Sequence, residues 1–163
     1  MALFGTIRDV TMFKGVATEL VHDIITQQIG YYKVMLGDTV PNVYGEALTK
    51  NYIGPVLLNC LIERGDYTVD NSDFGPDVRR EVTFRFLKDD LIAANVVPEV
   101  GDIVMYNELY YESDNVNENQ LIMGKDPNYS YSAGLQNFGG SFSIIVKAHM
   151  TTPERLGIEK FRL

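Results

Sequence analysis

Two histidines and one cysteine are the residues best equipped for nucleophilic, acid–base or metal chemistry, and the sequence keeps them apart. His22 falls in a helical pattern and His149 at the end of a strand pattern. No His-x-x-x-His or Cys-x-x-Cys spacing announces a metal site, and no nucleophile motif accompanies them. Both histidines are expected to be ordinary surface or satisfied residues. Cys60 lies in the apolar run Val56-Leu57-Leu58-Asn59-Cys60-Leu61-Ile62. A thiol there is expected to pack as a small buried hydrophobe. As the lone cysteine it forms no internal disulfide, which suits a reducing cytoplasm. The nearest approach to a metal site is Asp70-Asn71-Ser72-Asp73-Phe74-Gly75-Pro76-Asp77-Val78-Arg79-Arg80-Glu81. It has Asp first, Gly sixth and Glu twelfth, as a calcium loop does. Phe74, however, stands where an oxygen ligand is needed, and a strand pattern follows Glu81. A solvated acidic loop is the expectation, with no metal and no cofactor.

Paired carboxylates occur at Glu108 with Glu112 and at Asp114 with Glu118. Such pairs make a glycosidase only across a cleft at a defined separation, which sequence does not establish. Gly134, Gly139 and Gly140 precede a strand pattern rather than a helix, so no phosphate cradle forms. No catalytic residue is assigned. A hydrolase or a calcium-binding module is the weaker reading. The residue type that stands out is tyrosine: ten of them, and no tryptophan. Tyrosine offers rigid contact area at low entropic cost. Half-burial at barrel edges is an equal expectation for any single one.

The formal charge of −8 over 163 residues and a pI near 4.7 oppose sequence-independent binding to nucleic acid or anionic lipid. A ring lumen through which DNA slides without sticking is the one geometry that reconciles such acidity with DNA. Met1-Ala2-Leu3-Phe4-Gly5 has no basic region followed by an apolar stretch, so no signal peptide is expected. No apolar run approaches the ~20 residues of a membrane helix.

A single domain is expected over 1–163. Residues 1–16 read as an N-terminal arm, folded on its own domain or docked on a neighbouring subunit. Residues 17–29 read as a helix, with a stripe of Ala17, Leu20, Val21, Ile24 and Ile25 and with Gly30 to end it. Tyr31–Leu36 reads as a strand, and Pro55–Glu63 as a buried one. Residues 64–78 read as an acidic loop. Val82, Phe84 and Phe86 then alternate with polar residues, the signature of a half-buried strand. Asp89–Ala94 suggests a helical turn. Pro98–Asp102 is a turn signal, and Asn107-Glu108 closes a hairpin between Ile103–Tyr106 and Leu109–Glu112. Ser113–Asn119 reads as acidic loop, Gln120–Met123 as a short strand, and 124–141 as a long loop. Phe142–His149 is the last strand, and 151–163 a C-terminal tail. The core, 17–150, is thus mainly β with one N-terminal helix: a small antiparallel barrel or sandwich with long loops and extended terminal arms.

Several of these pieces, in order, resemble a known family. They are the helix ending at Gly30 into Tyr31-Tyr32-Lys33-Val34, then Val43-Tyr44-Gly45-Glu46, then Glu81-Val82-Thr83-Phe84. Pro98-Glu99-Val100-Gly101-Asp102-Ile103-Val104-Met105-Tyr106 and Leu109-Tyr110-Tyr111-Glu112 complete the set. Over residues 17–150 the chain resembles the neck, or head-completion, proteins of contractile-tailed bacteriophages. It departs from the longer members by ending soon after the last strand, which puts the contacts of their extra segment in doubt. The resemblance implies a non-enzymatic virion protein, assembled in the host cytoplasm. It would form a homo-oligomeric ring, a hexamer, between a portal-side adaptor and the tail terminator, with double-stranded DNA passing through unbound and no membrane involved. Phe4, Met12, Phe13, Arg155, Lys160, Phe161 and Arg162 on the arms are the expected subunit contacts. The loop 113–141, carrying Asp114, Asn117, Glu118, Tyr129 and Tyr131, is the expected channel lining. Another virion ring, such as a tail terminator, tail-tube or adaptor protein, is the runner-up.

Overall fold

The computed structural model describes residues 7–35, 37, 50–72, 75–121 and 141–151. A helix, α1, spans Ile7–Glu19 and continues without a break as a π-helical segment, Leu20–Ile25. Seven strands follow: β1 (Gln28–Val34), β2 (Tyr52–Asn59), β3 (Leu61–Ser72), β4 (Gly75–Leu87), β5 (Ile103–Tyr106), β6 (Leu109–Leu121) and β7 (Ser141–Thr151). A short helix, α2 (Lys88–Ala93), separates β4 from β5. The strands form one antiparallel sheet in the order β2-β1-β5-β6-β7-β4-β3.

The two edge strands of this sheet, β2 and β3, are neighbours in the chain with only Cys60 between them. One residue spans less than 7 Å even when extended. The sheet therefore curls until its edges meet at Cys60, although β2 and β3 are not paired with each other. The result is an open, sandwich-like wrap, mainly β as expected. Inside it Ile29, Tyr31, Leu58, Cys60, Val82, Phe84, Phe86, Val104, Tyr111, Ile144, Val146 and Ala148 form one core, and Leu91 of α2 plugs an end. Phe84 anchors the aromatic part, edge-on to Tyr111 at 5.8 Å and beside Phe86 at 6.5 Å. A smaller cluster of Tyr32, Ile103, Met105 and Tyr110, with Tyr52 against it, lies on the opposite face of β1, β5 and β6. Four tyrosines, at 31, 32, 110 and 111, are thus core residues rather than half-buried edges.

The alternation at Val82, Phe84 and Phe86 is realised, all three being buried. The tight hairpin also forms: Asn107 and Glu108 have φ of 53° and 64°, the two left-handed residues of a type I′ turn. Asp89–Ala94 becomes α2 with its boundary moved by a residue.

Five expectations need correcting. The helix begins at Ile7, inside the supposed arm, because nothing in 7–16 breaks it except a single tolerated Gly15. It ends at Thr26, whose N–H still donates to the Val21 carbonyl at 3.1 Å while its left-handed φ of 51° turns the chain out of the helix; Gly30 lies within β1 instead. The acidic stretch 64–78 is the body of the β3–β4 hairpin, paired from Leu61↔Arg85 to Ser72↔Gly75. Tyr67, Thr68 and Val69 face Arg80, Arg79 and Val78, so strand-forming residues on both arms override the Asp and Asn signals. Ser113–Asn119 likewise belongs to β6, held against β7. Finally, Pro55–Glu63 is two strands rather than one. It is not fully buried, since Leu57 and Leu61 are 50% and 40% exposed.

Candidate assembly surface

Among its described side chains the N-terminal helix buries only Val21. Around it three polar contacts tie the helix down. Lys14 Nζ reaches Asp89 at 2.9 Å, His22 Nε2 reaches Asp90 at 2.8 Å, and His22 Nδ1 lies 3.3 Å from Asn59 Nδ2. All point from one side of the helix toward α2 and the end of β2. At ~3.6 residues per turn, Met12, Val16, Leu20 and Ile24 form a ridge on the other side. Their exposures are 57%, 59%, 44% and 70%, and Phe13 beside them is 45% exposed. An ordinary surface helix turns its apolar stripe to the core. Here the stripe faces away from it.

A helix of this length is marginal on its own in water, and propensity alone does not hold it. Five roughly half-exposed large apolar residues together present on the order of 500 Å², the size of the largest patch on a typical monomer. Among the described residues, Met12 and Phe13 are the two expected contact residues that the structure places, and both lie on this surface. Val16, Leu20 and Ile24 complete it. Their signal was the strict four-residue spacing from Met12, which runs across the supposed boundary at residue 17. Phe4, Arg155, Lys160, Phe161 and Arg162 lie outside the described residues.

The expected channel residues divide similarly. Asp114, Asn117 and Glu118 are exposed on β6, and Asp114 Oδ1 pairs with His149 Nδ1 at 2.7 Å. Tyr129 and Tyr131 lie outside the described residues. Beside Asp114 a shallow cleft of ≈ 320 Å³ opens over β3, β4, β6 and β7, lined by Glu63, Glu81 and Asp114 with Arg64 and Lys147. Charges of both signs alternate there, with no nucleophile–base pair. The calcium-like stretch is excluded as such a loop. Asp70 is paired across the hairpin with Asp77, while Glu81 is paired with His149, so the segment runs as paired strands rather than wrapping an ion. Among the described residues no three His, Cys, Asp or Glu side chains converge as metal ligands. No described helix is long and apolar enough to cross a membrane.

The remaining polar cluster is buried, and sequence spacing did not reveal it. Asp102, fully enclosed, accepts hydrogen bonds from Tyr31 Oη at 2.6 Å, Lys33 Nζ at 3.1 Å, the Val34 N–H at 2.9 Å and the Glu99 N–H at 2.8 Å. Lys33 also reaches Glu99 at 2.8 Å and the Val97 carbonyl at 2.8 Å. The Pro98–Asp102 turn is thereby latched to β1. Burial, then the Asp102 hydrogen bond, pushes the Tyr31 phenol far above its ordinary range. Burial also pushes Cys60 up to about 12, so its thiol stays protonated and inert at neutral pH. This cluster holds the fold together and offers no group to a substrate.

Fold and surface together give a mainly β chain with an N-terminal helix whose apolar stripe is exposed. No protein-family profile matches the chain. No curated protein matches it. Among solved structures the chain is similar to one in "Virion of native gene transfer agent (GTA) particle", with a TM-score of 0.45 and 9% identity, over 77% of this chain and 94% of that one.

Proposed function

We propose that this chain is a structural, non-enzymatic protein of a phage-like virion. Its place is the neck, where copies form a hexameric ring that closes the filled head and receives the tail. The observation that carries assembly is the outward stripe Met12, Val16, Leu20 and Ile24, an apolar face that the described residues leave exposed. The place in the particle comes from the ordered motifs shared with neck proteins. Burying a stripe of this size contributes ~12 kcal/mol at ~25 cal/mol per Å². That is comparable to the ~4–15 kcal/mol lost on association. The stripe therefore holds a subunit in place only together with a partner's matching surface. A portal-side adaptor below and a tail terminator above are the partners this position supplies. The net charge of −8 suits a lumen that DNA passes without binding.

Gold-labelled antibody against the chain, viewed on purified tailed particles by electron microscopy, tests the placement. Gold at the head–tail joint supports it. Gold along the tail, at its far tip, or on free protein alone refutes it.

A further inference from the structure

The helix that the neck reading uses for assembly carries its own partner. A free subunit gains by covering an apolar face of this size. We propose that free copies pair through this helix, stripe against stripe and antiparallel, as a twofold dimer that precedes assembly.

Three observations point to a second copy in this orientation. The first is area. Two stripes brought together bury on the order of 1,000 Å², the least that a specific interface needs. Elsewhere on the described surface the exposed apolar residues are scattered: Ile53, Leu57 and Leu61 along β2 and the start of β3 at intervals of ~13 Å, Ile92 on α2, Val97 and Val100 before β5, and Val69 on the hairpin. None forms a continuous ridge that matches the stripe. The second is shape. Met12, Val16, Leu20 and Ile24 are spaced four apart, a ridge that fits the grooves of a second helix at the shallow ~20° crossing of helix bundles, which keeps the two stripes in contact along their length. The third is charge. The first half of the helix carries Arg8, Asp9 and Lys14, and the second half Glu19 and Asp23. Lys14 is already shared with Asp89, yet the first half remains the less acidic one. An antiparallel pair sets unlike halves together and opposes the two helix dipoles favourably. A parallel pair brings Glu19 and Asp23 of both copies into one place. In the antiparallel pair Met12 faces Ile24 of the second copy and Val16 faces Leu20.

Twofold pairing is self-limiting, whereas a ring needs head-to-tail contacts. Because pair and ring draw on the same stripe, the pair keeps free subunits from closing rings away from the particle. The proposal rests on the neck reading only for that consequence.

Cysteine cross-linking of the whole chain separates the arrangements, and native Cys60 is too deeply buried to interfere. Residues 12 and 24 lie ~18 Å apart along a helix. In the antiparallel pair the double variant Met12→Cys/Ile24→Cys therefore forms an interchain disulfide, and neither single variant does. Light scattering on the wild type should give twice the chain mass. Val16→Glu/Leu20→Glu should halve that mass, keep the wild-type circular dichroism spectrum, and abolish the rise of melting temperature with concentration that a dimer shows. A cross-link in either single variant overturns the antiparallel pair in favour of a parallel one. A monomeric wild type, or a ring in free solution, also overturns it. The neck reading is judged separately by the gold label, so a failed pair with gold at the joint removes only this inference.

Discussion

Replacing Asp102 by Ala should cost more than any surface change in this protein. The carboxylate is fully buried and accepts four hydrogen bonds, two of them from the backbone N–H groups of Val34 and Glu99. Alanine removes every acceptor at once. The Tyr31 hydroxyl proton and the Val34 N–H then lose their buried acceptor, at ~1–3 kcal/mol each. Lys33 loses less, because it is 31% exposed and keeps Glu99 at 2.8 Å. The total falls at ~3–5 kcal/mol, the usual loss when one partner of a buried ionic contact is removed. In a domain of this size that corresponds to a drop in melting temperature of ~6–20 °C. Urea unfolding followed by circular dichroism measures it directly. The same network makes a sharper demand. Tyr31→Phe should cost ~1.5–3 kcal/mol in the wild type, as for a hydrogen bond to a charged group, and almost nothing once Asp102 is Ala. A loss below ~1 kcal/mol for Asp102→Ala, or equal Tyr31→Phe costs in both backgrounds, would refute the latch.

The core makes two further predictions. Phe84→Ala should destabilise by ~3–5 kcal/mol, because the ring is fully enclosed by Phe86, Tyr106 and Tyr111; a urea midpoint close to wild type would contradict that packing. Stability should fall as pH rises from about 9 toward about 12. Burial holds Cys60 and Tyr52 up to about 12, with the negative charges of Glu112 and Asp102 adding to the shift at Tyr52. Above the ordinary thiol and phenol values the unfolded chain has lost these protons while the folded one keeps them, so each step up in pH favours unfolding. Cys60→Ala should flatten that decline; a decline of unchanged steepness would show that the thiol takes no part in it.

The legible parts of this fold were those where local pattern and tertiary demand agree. Val82, Phe84 and Phe86 alternate because β4 buries one face, and Asn107-Glu108 turns because two residues must take positive φ. Where the two disagree, sequence misled. Asp and Asn at 64–78 and 113–119 favour loops locally, yet the β3–β4 and β6–β7 ladders supply the backbone partners that make them strands. The helix was misread for a different reason. A helical stripe is normally taken to face the core, and that expectation fixed its start at residue 17 and its buried side on Leu20 and Ile24. Both are exposed, and only Val21 packs inward. Met12 and Phe13 were nonetheless picked out, because large apolar residues near a terminus need a cover from somewhere. The Asp102 latch was illegible because its partners, Tyr31 and Lys33, are some seventy positions away in the chain.

On the proposed reading, the outward face of α1 joins this chain to its neighbours in the particle. Electron microscopy of lysates in which the only source of the chain carries Val16→Glu/Leu20→Glu tests that claim most directly. Filled heads and finished tails should then stay apart, while the purified variant keeps the wild-type circular dichroism spectrum. Normal yields of joined, tailed particles from that variant would contradict it.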